Sequence, residues 1–151
     1  MCLPVEEAAF SMQKAFLQAV FDHQLPKNFL LAQHDSNVSG RIDFKIYDTS
    51  TYGPKSIGGF GWSEFPNVGC HIVISHDVYL AEAHRDKGYG SLLQGMREKA
   101  FKDAGIQIIL ATVRSTNAPE IALLKKAGWK QLTDFPSANE AVKIELWSKK
   151  L

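Results

Sequence analysis

The stretch from Val78 to Gly105, with the run Ile72 to Leu80 leading into it, constrains the fold more than any other part of the chain. Ile72 to Leu80 is rich in β-branched and apolar residues, which predicts a strand. Arg85-Asp86-Lys87-Gly88-Tyr89-Gly90-Ser91 follows. Leu92, Leu93, Met96, Ala100 and Ala104 then recur at helical spacing until Gly105 stops the helix. A glycine-rich loop therefore joins a strand to a helix start. The first N–H groups of a helix lack intrahelical acceptors and point out of its positive dipole end, an arrangement that receives phosphate. Gly88 and Gly90 have no Cβ, so an anion can approach the main chain, and Arg85 and Lys87 add positive charge. A tight turn with two solvated basic residues is the plainer alternative.

The elements around this unit indicate an α/β domain with a mixed sheet spanning residues 1 to 151. Pro4 to His23 reads as a helix, with Val5, Ala8, Ala9, Met12, Phe16, Ala19 and Val20 on one face. Asn28 to His34 can form a short strand. Arg41 to Tyr47 alternates as a half-buried strand, and Ile57 to Phe65 is a strand loosened by Gly58, Gly59 and Gly61. Gln107 to Arg114 is a continuous apolar run, as expected of an interior strand. Asn117 with Glu120 resembles a capping box, Pro119 supports a helix start and Gly128 a stop. Trp129 to Thr133 and Val142 to Ser148 then pair as strands.

A net charge of +1 gives no global field that would recruit nucleic acid, so any anion site must be local. Cys2 and Cys70 are too few for a disulfide framework or zinc cluster, and the histidines lack ligand spacing, so no metal is expected. A reduced, cytoplasmic setting fits this usage. The start Met-Cys-Leu-Pro is unlike a signal peptide, and no apolar run is long enough to span a membrane.

Val78-Tyr79-Leu80-Ala81-Glu82-Ala83-His84 followed by Arg85-x-x-Gly88-x-Gly90 resembles the acetyl-CoA-binding motif of the GNAT (Gcn5-related) N-acetyltransferases. Asn117-Ala118-Pro119-Glu120 through Gly128-Trp129 is similar to that family's Asn-led helix, closed by glycine and an aromatic residue. Glu82 stands where the family often has proline, and Leu124 where it often has tyrosine. The resemblance implies a GNAT-like acyl-CoA N-acyltransferase fold. It also implies transfer of acetyl from acetyl-CoA, as cosubstrate, to a primary amine of a small molecule or protein, by direct attack in a ternary complex. The main chain of Val78, Tyr79 and Leu80 would pair with the pantetheine arm. N–H groups from Arg85, Asp86, Lys87, Gly88, Tyr89, Gly90 and Ser91 would hold the diphosphate, Asn117 would contact the cofactor, and the Leu80 N–H would stabilise the thioester oxygen. A homodimer is left open.

An amine attacks only as the free base. For a lysine-like amine at neutral pH, deprotonation is worth roughly 3 pKa units, or about 4 kcal/mol. A thiol with a pKa of about 8.5 leaves readily, so a base matters more than an acid. Leu124 cannot donate a proton, and Ile74 occupies the strand position where some protein acetyltransferases place a glutamate. His76 is the candidate base and Tyr79 the candidate acid, with Asp77 and Glu82 nearby. Strand alternation puts His76 on one face with Val78 and Leu80, and Asp77 with Tyr79 on the other. A catalytically weak or inactive CoA-binding or protein-interaction module is the alternative function.

Overall fold

Alternating apolar residues form the inner strands here because one face of the sheet's middle is covered by helix. The computed structural model describes residues 26–34, 41–50, 52–64, 72–138 and 141–151, and the helix expected over Pro4 to His23 lies outside them. The strands are β1 (Phe29–His34), β2 (Arg41–Asp48), β3 (Lys55–Glu64), β4 (Ile72–Leu80), β5 (Ile108–Arg114), β6 (Lys130–Pro136) and β7 (Lys143–Lys150). The helices are α1 (Tyr89–Asp103) and α2 (Ala118–Lys126), and Glu82–His84 forms a single 3-10 turn. Among the described residues the strands make one sheet in the order β1-β2-β3-β4-β5-β7-β6. The β4–β5 pair is parallel and the others are antiparallel.

On β2 the alternation predicted from sequence is realised, with Phe44 and Ile46 buried. Phe44, Phe60 and Trp62 stack across β2 and β3, their ring centroids 5.4 to 6.2 Å apart. Phe101 of α1 meets Trp62 edge-on at 5.3 Å, which seats α1 on this face. Val73, Met96, Ala100 and Ile109 complete the contact. Each large apolar side chain buried there contributes roughly 1.5–3 kcal/mol.

Helix α1 ends as its glycine foretells, with Gly105 at φ +84° just beyond the last turn. Helix α2 starts at Asn117, whose side chain accepts from the Glu120 N–H, with Pro119 in the first turn. Strand β6 is exposed along its whole length and carries Lys130 and Asp134, charges of the kind that keep a sheet edge from pairing with other chains.

Candidate active site

Two irregularities of β4 build the site. Tyr79 pairs with Gly59 and His76 with Gly61, so Phe60 alone opposes Asp77 and Val78, and β4 carries a bulge. Directly paired residues share a face, and Gly59 and Gly61 are two apart. His76 and Tyr79 therefore lie on the same face, away from the helices. This corrects the simple alternation, which separates them and groups His76 with Val78 and Leu80; the extra residue shifts the phase by one. Nε2 of His76 lies 2.7 Å from Ser63 Oγ. Tyr79 is 47% exposed, its ring against Gly59, where any Cβ would sit 3.0 Å from the ring.

The second irregularity is a parting of strands. β4 and β5 are paired from Ile72–Ile108 to Ser75–Ala111 and no further, while β5 stays on β7 as far as Arg114 and β4 stays on β3 as far as Leu80. The Tyr79 carbonyl is turned to β3, 2.6 Å from where a Gly58 Cβ would stand, and the Ala81 N–H donates to the Ile57 carbonyl. By alternation, the main chain of Leu80 faces the opened side. Its carbonyl accepts from Arg85 Nε at 2.8 Å. A cavity of about 240 Å³ fills the gap, lined by Ser75, Val78, Arg97, Asn117, Glu120 and Leu124, among others.

Beyond Leu80 the expected loop is in place. Asp86 at φ +59° and Gly88 at φ +80° both take left-handed backbone in the turn before α1, and Gly88 caps α1 without a side-chain bond. Arg85, Asp86, Lys87, Gly88 and Ser91 are exposed. Tyr89 is half-buried, its ring 5.1 Å from Phe29. A Cβ at Gly88 would meet nothing within 4 Å, and one at Gly90 would meet Leu123 at an ordinary 3.6 Å, so the space before these amides is open.

A corner across the sheet edge braces this loop. The Asp48 carboxylate accepts from Ser50 N–H, Ser50 Oγ and Asn28 Nδ2, and lies 3.6 Å from His84 Nε2. His84 in turn meets Phe29 edge-on at 5.9 Å. The Ser50 hydroxyl and N–H, with Asn28, hold the Asp48 pKa down, from 3.8 to about 2. A carboxyl depressed on folding stabilises above its unfolded pKa, and the contribution fades as pH falls through the folded value. Asp48→Asn is therefore expected to lower the urea midpoint at pH 6, and the gap from wild type to close as pH falls from about 4 towards 2.

Sequence reasoning missed the floor of the gap. Arg97 is 4% exposed, donates to Ser75 Oγ at 2.7 Å and to Gln94 Oε1, and lies with Cζ 5.5 Å from the Phe60 ring centroid. Gln94 donates on to Glu98, which also accepts from Trp129 Nε1 and Lys149. Burial lowers the Arg97 pKa to about 10, against the Glu120 and Glu98 charges, so it stays cationic at neutral pH. Burial raises the Glu120 pKa, and Arg97 opposes the shift. One signal could have exposed the floor: Gln94, Arg97 and Phe101 recur at helical spacing beside Leu93, so the inward face of α1 is not purely apolar.

The model of the acetyltransferase (GNAT) family matches residues 3–129. This chain belongs to the GNAT acetyltransferases. The L-methionine sulfoximine/L-methionine sulfone acetyltransferase of Pseudomonas aeruginosa is 30% identical over 76 residues, 50% of this chain and 44% of that protein. The chain thus matches less than half the length of this curated relative. Among solved structures, the IAA acetyltransferase from Bacillus cereus has a TM-score of 0.63 at 12% identity, over 82% of this chain and 99% of that one. A GNAT family acetyltransferase from Elizabethkingia anophelis, solved with acetyl-CoA bound, has a TM-score of 0.60 at 12% identity, over 83% and 100% of the two chains. These likenesses show that the GNAT fold predicted from the two motifs is the fold of this chain. At the GNAT position that often holds tyrosine, Leu124 is 1% exposed and offers no proton.

Proposed function

We propose that this chain moves acetyl from acetyl-CoA to a primary amine of a small molecule. The observation that carries the reading is the parting of β4 from β5 beyond Ser75 and Ala111, on the strand that leads into α1, whose first N–H groups at Tyr89, Gly90 and Ser91 have no intrahelical acceptors. The slot and loop fit the donor: its floor is polar, Val78 lines it, and a Cβ at Gly88 or Gly90 would meet nothing closer than 3.6 Å. The Tyr89, Gly90 and Ser91 amides would hold the diphosphate, with Arg85, Asp86, Lys87 and Gly88 shaping the turn, and Asn117 would meet the arm from the facing helix. Acetyl-CoA supplies an acyl group on a good leaving thiol. The chain's own part is to orient that group and to hold a neutral amine before it.

His76 is the base in this reading. It stands one residue past the last β4–β5 pair, so its face is the side of the gap opposite the helices, with Tyr79 beside it. An imidazole anchored on Ser63 can take the ammonium proton near neutral pH. His76→Ala is expected to lower kcat/KM about 100-fold, the usual scale of a lost general base, and added imidazole to restore part of it. The relatives' amino-acid-like acceptor makes L-methionine sulfoximine the first amine to try, followed by polyamines and peptides.

Leu124 supports a second reading, a module that binds coenzyme A without turnover. Thiol release from acetyl-CoA with that amine panel decides between them. Release above background with at least one amine supports the transferase; a thermal shift with acetyl-CoA but no release supports the module. No shift at all overturns both.

A further inference from the structure

We propose that Glu120 is the acid that protonates the departing sulfur. The inference rests on the acetyl-transfer reading and adds a residue to it. Of the side chains lining the gap, Glu120 bears the one carboxyl among the described residues. The hydroxyls of Ser75 and Thr112, the Asn117 amide and the Trp129 indole are far weaker acids than a carboxyl, and Val78 and Leu124 have no proton to give. Glu120 stands one turn before Leu124 on α2, four residues apart and on the same side of the helix, so its carboxyl reaches the space that the aliphatic Leu124 leaves without a donor.

The charges around it set its protonation. Arg97 faces it from α1 and Arg114 lines the same gap from β5, while Glu98 acts on Arg97 and holds Lys149 of β7. Burial favours the neutral carboxyl and Arg97 the charged one, with burial the larger effect. Arg97 is thus a positioning and tuning residue. Its hydrogen bonds go to the neutral Ser75 and Gln94 side chains, and its charge acts on Glu120 and Glu98.

The step balances. The N–C bond forms from the amine lone pair, and the C–S bond breaks with its electron pair going to sulfur. Glu120 gives its proton to that sulfur, the nitrogen proton passes to His76 or solvent, and Glu120 recovers a proton from water. The neutral carboxyl is the active form, so activity should decline as pH rises through the Glu120 pKa.

Three measurements test this. Wild type and Glu120→Gln are compared with acetyl-CoA and with an acetyl thioester whose leaving thiol has a much lower pKa. The expected loss is about 10-fold or more in kcat with acetyl-CoA and near none with the better leaving group, because a sulfur that leaves unaided needs no acid. A loss equal with both donors, or no loss, overturns the assignment. Coenzyme A binding to Glu120→Gln by calorimetry should be retained, which separates a missing proton from a damaged slot. Glutamate-selective carbon NMR should show one carboxyl titrating above the ordinary range that Glu120→Gln removes and Arg97→Met moves higher. A Glu120 carboxyl titrating in the ordinary range overturns the assignment. Failure of wild type to bind acetyl-CoA would instead sink the reading beneath it, and binding without turnover would remove any role for an acid.

Discussion

Gly90→Glu is expected to abolish the stabilisation of this protein by acetyl-CoA while leaving the free protein as stable as before. A Cβ at position 90 has ordinary room, 3.6 Å from Leu123, so the fold accepts the side chain. The new carboxylate sits at the second position of α1, where the helix dipole favours negative charge by about 0.3–1 kcal/mol. The same charge occupies the place before the Tyr89, Gly90 and Ser91 amides that a diphosphate needs, and repels it. Affinity should fall on the order of 100-fold or more, about 2.7 kcal/mol. The melting temperature without ligand should hold or rise slightly, and the shift with acetyl-CoA should vanish. Equal shifts in both proteins would place the diphosphate elsewhere. Gly90→Ala provides the control, since it adds a Cβ without charge and should keep most of the shift.

What could be read from sequence was whatever local chemistry dictates. The Gly88 and Gly90 loop and the Asn117 to Gly128 helix are set by residues whose backbone preferences are strong, and the fold followed from their order. The phase of β4 was not legible. A bulge is one extra residue opposite Phe60, and nothing in Ser75-His76-Asp77-Val78-Tyr79 marks which residue is extra, because the cause lies in β3, where Gly58 and Gly59 let Tyr79 come close. The partnership of Arg97 with Ser75 joins residues 22 apart, and that of Lys149 with Glu98 joins residues 51 apart. Periodicity within one helix sees neither. Glu120 was read as half of a capping box, but only its N–H takes part, donating to Asn117 Oδ1 while the Asn117 N–H donates to the Arg114 carbonyl; Glu120 instead lines the gap, a role that appears only once β5 has turned away from β4.

Trp62→Ala is expected to cost about 3–5 kcal/mol. The indole is 1% exposed and is the largest fully buried side chain among the described residues. It stacks on Phe44 at 5.4 Å, meets Phe60 at 6.2 Å and receives Phe101 of α1 edge-on at 5.3 Å, so its removal leaves a void under three rings at once. The damage should also reach the site. Trp62 is the direct partner of Ser75, the residue that holds Arg97 under the gap, so a slackened β3–β4 pair loosens the floor on which Glu120 depends. Urea unfolding should show the midpoint falling with an unchanged slope, and Trp62→Phe should recover more than half of the loss by refilling the stack. A loss below about 1 kcal/mol for Trp62→Ala would mean that α1 is seated by the rest of the core and that the aromatic stack is secondary.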